Sequence, residues 1–254
     1  IFLGDNMQMT IDNLNISYIN KGKGKNVILI PGWNASYKYF NNLINELSKS
    51  YNIYSLDLPG FGESSIPTSV FTTHDYALII YKFMQKLNIT NPTLIGHSFG
   101  GKTIIDLITT TDIEVKSAIL IDSSGIKRKK NFFAKMKNYR YKILKKMITS
   151  LYKGEKQEYL LDDLKKQYGS KDYNEAKGIM KDILIQIVNE DYTNNLSQIK
   201  IPTLLIWGEY DQDTKIEEAK ITIADLRTRY ETVDKQLSAV NKVIEKMEEE
   251  LRVN

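Results

Sequence analysis

The sequence predicts an α/β protein: a mostly parallel sheet with helices on both faces, an inserted helical cap and a C-terminal coiled-coil helix. Three observations carry this expectation. Short apolar runs alternate with stretches of helical periodicity, the pattern of strands joined by covering helices. One run, Thr93-Leu94-Ile95, passes through Gly96-His97-Ser98-Phe99-Gly100 into an apolar helical stretch, so a serine stands at a strand–turn–helix corner. From Ile223 to Leu251 apolar residues keep a seven-residue repeat.

In chain order, Met7 to Ile19 alternates apolar and polar residues and reads as a strand pair at a sheet edge. Lys21-Gly22-Lys23-Gly24-Lys25 is a turn and Val27-Ile28-Leu29-Ile30 a buried strand, which Pro31-Gly32-Trp33 ends. Tyr37 to Leu47 reads as a helix and Ile53 to Leu56 as the next strand, followed by the glycine-rich loop Asp57-Leu58-Pro59-Gly60-Phe61-Gly62-Glu63-Ser64. A helix is expected from Thr73 to about Lys86, with His74 a capping or surface residue at its start. After the Ser98 corner and its helix, Ala118 to Ile121 is a strand closed by Asp122-Ser123-Ser124-Gly125. Residues 126–196 show helical periodicity without strands, the reading of an inserted cap. The sheet resumes at Ile201 to Trp207 and ends at Gly208-Glu209-Tyr210-Asp211. The expected division is therefore 1–125 core, 126–196 cap, 197–215 last strand and acid loop, and 216–254 coiled coil.

In that last segment the rows Ile223, Tyr230, Leu237, Ile244, Leu251 and Leu226, Val233, Val240, Met247 alternate at three- and four-residue steps and make one seam. Burying the seam calls for a helical partner, so a homo-oligomer through residues 219–253 is expected.

Composition excludes several classes. With no cysteine there is neither a disulfide framework nor a thiolate metal site. Two histidines cannot build a typical transition-metal site, and no metal or other cofactor is expected. No apolar run is long enough to span a bilayer, and the start Ile1-Phe2-Leu3-Gly4-Asp5 has no basic, then apolar, signal-peptide pattern; a cytoplasmic location is the expectation. The opening on Ile1 rather than methionine suggests trimming. The net charge of +4 is unevenly spread: from Ile126 to Lys171 there are fifteen Lys/Arg against four Asp/Glu. That excess reads either as the solvated faces of amphipathic helices or as a positive lid that attracts anionic substrates or a membrane surface. No nucleic-acid motif accompanies it, and no phosphate-binding Gly-x-x-x-x-Gly-Lys motif is present.

The Ser98 corner is the chemical feature. In a Gly-x-Ser-x-Gly turn the serine hydroxyl projects beyond a sheet end, beside the N–H of the residue that follows, here Phe99. A serine nucleophile needs a base, which in this architecture follows an acid in the order Ser, Asp or Glu, His. Three aspartates, Asp57, Asp122 and Asp211, stand at strand ends. The two histidines, His74 and His97, both precede Ser98.

Over residues 7–214 the chain resembles the α/β-hydrolase superfamily, in particular its small capped bacterial members. The resemblance rests on Pro31-Gly32-Trp33, on Asp57 to Ser64, on Gly96-His97-Ser98-Phe99-Gly100, and on Pro202 to Asp211. Gly169 to Tyr173 and Val188-Asn189-Glu190-Asp191 add to it within the cap. It implies Ser98 as nucleophile, Asp211 as triad acid with Asp122 the runner-up, and the Trp33 and Phe99 N–H groups as an oxyanion hole. The implied activity is hydrolysis of a carboxylic ester or similar small acyl substrate, with the cap forming part of the pocket. The sequence departs from the family after Asp211, where the strand and histidine loop expected of it are replaced by the heptads. The resemblance therefore implies a hydrolase ancestry with an incomplete triad. The rival expectation is a catalytically inactive hydrolase fold that assembles through its coiled coil.

Overall fold

The computed structural model describes residues 6–126, 132–208 and 220. Asp211 and, residue 220 apart, the 216–254 segment with its expected self-association lie outside the described residues.

Seven strands form one sheet: β1 (Met7–Ile11), β2 (Leu14–Lys21), β3 (Lys25–Ile30), β4 (Tyr51–Leu56), β5 (Thr93–His97), β6 (Ser117–Ile121) and β7 (Thr203–Ile206). Their spatial order is β1-β2-β4-β3-β5-β6-β7. The β1–β2 and β2–β4 pairs are antiparallel, and all pairs from β4 to β7 are parallel. The edge hairpin and the parallel core are those the sequence predicts.

Alternation along the strands builds two cores. Ile28 and Ile30 of β3 face one side with Leu94, Tyr76, Ile80, Phe83 and Ile104. Val27 and Leu29 face the other with Tyr37, Phe40, Ile44, Ile53 and Ile95, as the two-residue period of a strand requires. The first side is covered by α2 (Thr73–Lys86) and α3 (Phe99–Thr110), the second by α1 (Asn41–Leu47).

Helix starts are set by local polar chemistry. The helix α2 starts at Thr73, as the sequence predicts, and its cap is Thr72. Its hydroxyl accepts from the Asp75 N–H, and the Asp75 carboxylate accepts from the Thr72 N–H at 2.7 Å, a reciprocal capping box. The helix expected over 37–47 divides into a 3₁₀ turn, Tyr37–Phe40, and α1. The turn tightens because Ser36 Oγ accepts from the Lys38 N–H, while the buried Asp57 accepts from the Tyr37 N–H at 2.7 Å.

Between β6 and β7 the cap is helical: α4 (Phe132–Leu151), α5 (Glu155–Tyr168), α6 (Lys171–Glu175), α7 (Ile179–Asn189) and α8 (Thr193–Leu196). No strand occurs among its described residues. Met180, Ile183, Leu184 and Ile187 of α7 join the main core, which ties the later cap to the sheet domain.

Among the described residues no helix is long and apolar enough to cross a membrane, and none of their His, Cys, Asp or Glu side chains form a group that could hold a metal ion.

Candidate active site

The parallel sheet has one point where its connections leave in opposite directions. The chain goes from β3 outward to β4 on one side, and from β5 outward to β6 on the other. The crevice beyond the carboxyl ends of β3 and β5 is where such sheets bind ligands. Pro31-Gly32-Trp33 follows β3 there, and Ser98 follows β5.

Ser98 is half-buried, with φ 50° and ψ −114°. A non-glycine residue is held in that strained region only where its surroundings over-determine it. The surroundings are specific. The Ser98 N–H donates to Ile121 O at 3.0 Å, and its carbonyl accepts from Gly101 and Ser124 N–H, each at 3.1 Å. The flanking glycines are required sterically. A Cβ on Gly96 would lie 2.7 Å from the Gly100 carbonyl group, and one on Gly100 would lie 2.2 Å from Ile30 O. The corner therefore packs backbone against backbone, leaving the serine side chain as the group that projects.

Phe99 is the first residue of α3, and first-turn N–H groups have no acceptor within their helix. The β3 loop comes up beside it: a Cβ on Gly32 would lie 3.3 Å from Ser98 Cβ and 3.1 Å from His97 Nδ1. Trp33 is fixed edge-to-face against Phe61 and Phe99, with ring centroids 4.7 and 5.9 Å apart. Phe99 in turn meets Tyr76 at 5.1 Å, edge-to-face. Trp33, Ser98 and Phe99 are thus brought together.

The acids separate by role. Asp57 is buried. Its carboxylate accepts from Tyr37 N–H at 2.7 Å and from Glu63 N–H at 2.9 Å. A Cβ on Gly62 would sit 2.0 Å from its Oδ2, which explains the glycine, whose φ is +54°. Burial pushes the Asp57 carboxyl above the usual carboxylate range, against the two N–H donors that lower it. Asp57 organises the glycine-rich loop. Asp122 stands one residue past the β5–β6 register pair His97–Ile121, level with Ser98. Its Oδ1 accepts from Gly208 N–H at 2.7 Å, so its carboxylate ties the end of β7 to β6. Because β7 is parallel and Ile121 pairs with Ile206, the chain leaves β7 at the same sheet end as Ser98. Asp211 itself is outside the described residues.

Both histidines have other attachments. His97 stacks on Tyr39, with centroids 5.1 Å apart and ring planes at 28°. His74 Nδ1 is 2.8 Å from Asp106 Oδ1 and 3.3 Å from Thr110 Oγ1. Asp106 is eight residues beyond Ser98 on α3, about 12 Å along the axis at 1.5 Å per residue. His74 is a surface partner of a buried carboxylate rather than a helix cap.

One polar cluster lies beyond what the sequence reading found. Lys102 is buried, and its ammonium donates to Ile187 O at the C-terminal turn of α7 and to Glu190 O at 3.4 Å. It stands 3.7 Å from the Glu190 carboxylate and 5.2 Å from the centre of the Tyr192 ring. The Glu190 carboxylate accepts from Thr73 N–H, at 3.2 Å for the nearer oxygen, at the start of α2. Tyr192 O–H donates to Asp106 Oδ2 at 2.6 Å. Burial lowers the Lys102 pKa to about 8, against Glu190, Asp191 and Asp106, which raise it. The only sequence signals were two charges, Lys102 and Asp106, in an otherwise apolar helix, and Glu190 in the Val188 to Asp191 segment.

A model of the α/β hydrolase fold family matches residues 25–236. The chain belongs to that family. It is 24% identical over 237 residues to the uncharacterized hydrolase YugF of Bacillus subtilis, a likeness that spans 86% of this chain and 85% of that protein. It is 28% identical over 199 residues to the pimeloyl-[acyl-carrier protein] methyl ester esterase of Wigglesworthia glossinidia brevipalpis, spanning 73% and 74% of the two chains. Among solved structures, the bromoperoxidase from Bacillus anthracis superimposes with a TM-score of 0.65 at 21% identity, covering 87% of this chain and 88% of that one.

Proposed function

We propose that the chain carries an ester-type serine hydrolase site with Ser98 as the nucleophile. The substrate is a small acyl compound held partly by the cap. Ser98 Oγ attacks the acyl carbon and the alkoxy group leaves, giving an acyl-serine that water then cleaves. The Trp33 and Phe99 N–H groups receive the negative oxygen of the tetrahedral intermediate, and Asp211 serves as the acid of the triad. The observation that carries this reading is Ser98 itself, a strained, half-buried serine at the switch point of the sheet. The name of the methyl ester esterase relative supports an ester as the substrate class.

Within these 254 residues no histidine follows Ser98, so these residues supply no base in the usual chain order. A fluorophosphonate probe is expected to label the chain slowly at neutral pH. Labelling should quicken about tenfold per pH unit as hydroxide replaces the base, because only the deprotonated serine is strongly nucleophilic. Mass spectrometry should place the adduct on Ser98, and Ser98→Ala should abolish it. An adduct elsewhere, or none across the pH range, would remove Ser98 as nucleophile.

A second reading, an inactive hydrolase fold that assembles through residues 219–253, is favoured by the attachment of both histidines to other groups and by the heptad repeat. It predicts a particle larger than the 29.3 kDa chain in light scattering, with apolar-to-charged changes at Leu237 and Ile244 returning it to that mass. A monomer throughout would dismiss this reading.

A further inference from the structure

We propose that α4 is a docking surface for anionic lipid bilayers. This twenty-residue helix carries six Lys/Arg (Lys135, Lys137, Arg140, Lys142, Lys145, Lys146) and no Asp or Glu. Its apolar residues form two separate rows. Tyr141, Leu144 and Ile148 are half-buried, and Tyr141 meets Tyr168 of α5 with centroids 5.6 Å apart; this row packs the cap. The other row is Met136, Tyr139, Ile143, Met147 and Leu151, which are 46%, 67%, 41%, 50% and 68% exposed. At about 100° per residue this second row covers an arc of roughly 120°.

Charge decides the occupant. On the helical wheel, Lys142 and Lys146 border the exposed row on one side, and Arg140 lies within it between Met147 and Leu151. Among the described residues none of these three is ion-paired. An apolar stripe on an outward helix, with long cationic side chains along one edge and one within it, matches a surface that offers acyl chains and anionic phosphates together. The stripe enters the interface while the lysine stems lie along it and the ammonium groups reach the headgroups. Each cation near an anionic surface contributes about 1 kcal/mol, screened by salt. The proposal is independent of Ser98 chemistry.

The test is sedimentation of the full chain with phosphatidylcholine vesicles, with and without phosphatidylserine. The chain should partition onto the anionic vesicles only, and added salt should release it. Ile143→Asp with Met147→Asp, and separately Lys142→Glu with Lys146→Glu, should each reduce partitioning at least about tenfold. Circular dichroism and thermal melting of both variants should match the parent, since all four positions are exposed. No binding to anionic vesicles would overturn the proposal and give the stripe to another occupant, residues 209–254 of this chain or an acidic protein. Binding that survives both variants would also overturn it, by placing the lipid contact elsewhere.

Discussion

Short p-nitrophenyl esters will be turned over by this chain about 10⁴- to 10⁶-fold more slowly than by a serine hydrolase with a complete triad, the usual consequence of losing one member. At about 1.4 kcal/mol per decade this is a barrier increase of roughly 5.5–8 kcal/mol. The deficit comes from proton transfer. In the proposed site Ser98 is positioned by its backbone hydrogen bonds to Ile121, Gly101 and Ser124, with the first-turn N–H of Phe99 beside it, so charge stabilisation of the intermediate is expected to be retained. Among the described residues both histidines have other attachments: His97 stacks on Tyr39, and His74 is held by Asp106. Initial rates against a matched blank measure the effect, and Ser98→Ala should lower the residual rate less than about tenfold, because the serine acts unassisted. Fast turnover that vanishes in Ser98→Ala would mean that another group accepts the proton, and His74→Ala and Asp122→Asn would then identify it.

The parts of the molecule legible in the sequence are those whose causes are local. Gly96 and Gly100 mark the corner because no other residue fits where two backbones approach within van der Waals contact. The edge strands were legible from their two-residue alternation, and the central ones from short apolar runs, because parallel strands are covered on both faces. Gly62 belongs to the glycine-rich loop, and its cause is the Asp57 carboxylate lying where a Cβ would be. Features that depend on distant partners were not legible. Asp57 binds the start of the Tyr37–Phe40 turn, twenty residues earlier, and nothing in the local sequence says that this helix begins as 3₁₀. His74 reads as a capping or surface residue because it opens a helical stretch, and it is exposed. The cap is Thr72, and the histidine's partner is on another helix. Lys102 and Glu190 are 88 residues apart in sequence, and each looks like an ordinary solvated charge until α7 is laid against α3.

That last pair gives the largest expected effect on stability. Lys102→Met should lower the unfolding free energy by about 3 kcal/mol at neutral pH, measured by urea denaturation. Methionine fills much the same volume, so the loss is of donors. Ile187 O loses the ammonium and keeps the Glu190 N–H at 3.3 Å, and the part-buried Glu190 carbonyl loses its donor, at about 1–3 kcal/mol for an unsatisfied group. The Glu190 carboxylate also keeps its Thr73 N–H but loses its nearby cation. The pH dependence separates this account from a simple ion pair. Burial lowers the Lys102 pKa to about 8, whereas in the unfolded chain it stays near 10.5. Between those values the unfolded state binds more protons than the folded one, so this group's contribution to stability rises with pH. The neutral amine still donates to the two carbonyls, and the penalty for burying its charge is gone. The gap between the parent chain and Lys102→Met should therefore widen from pH 8 to pH 10, other titrations cancelling in the difference. A gap that narrows over that range would mean that attraction to Glu190 outweighs burial. The lysine would then anchor the cap by its charge and not by its hydrogen bonds.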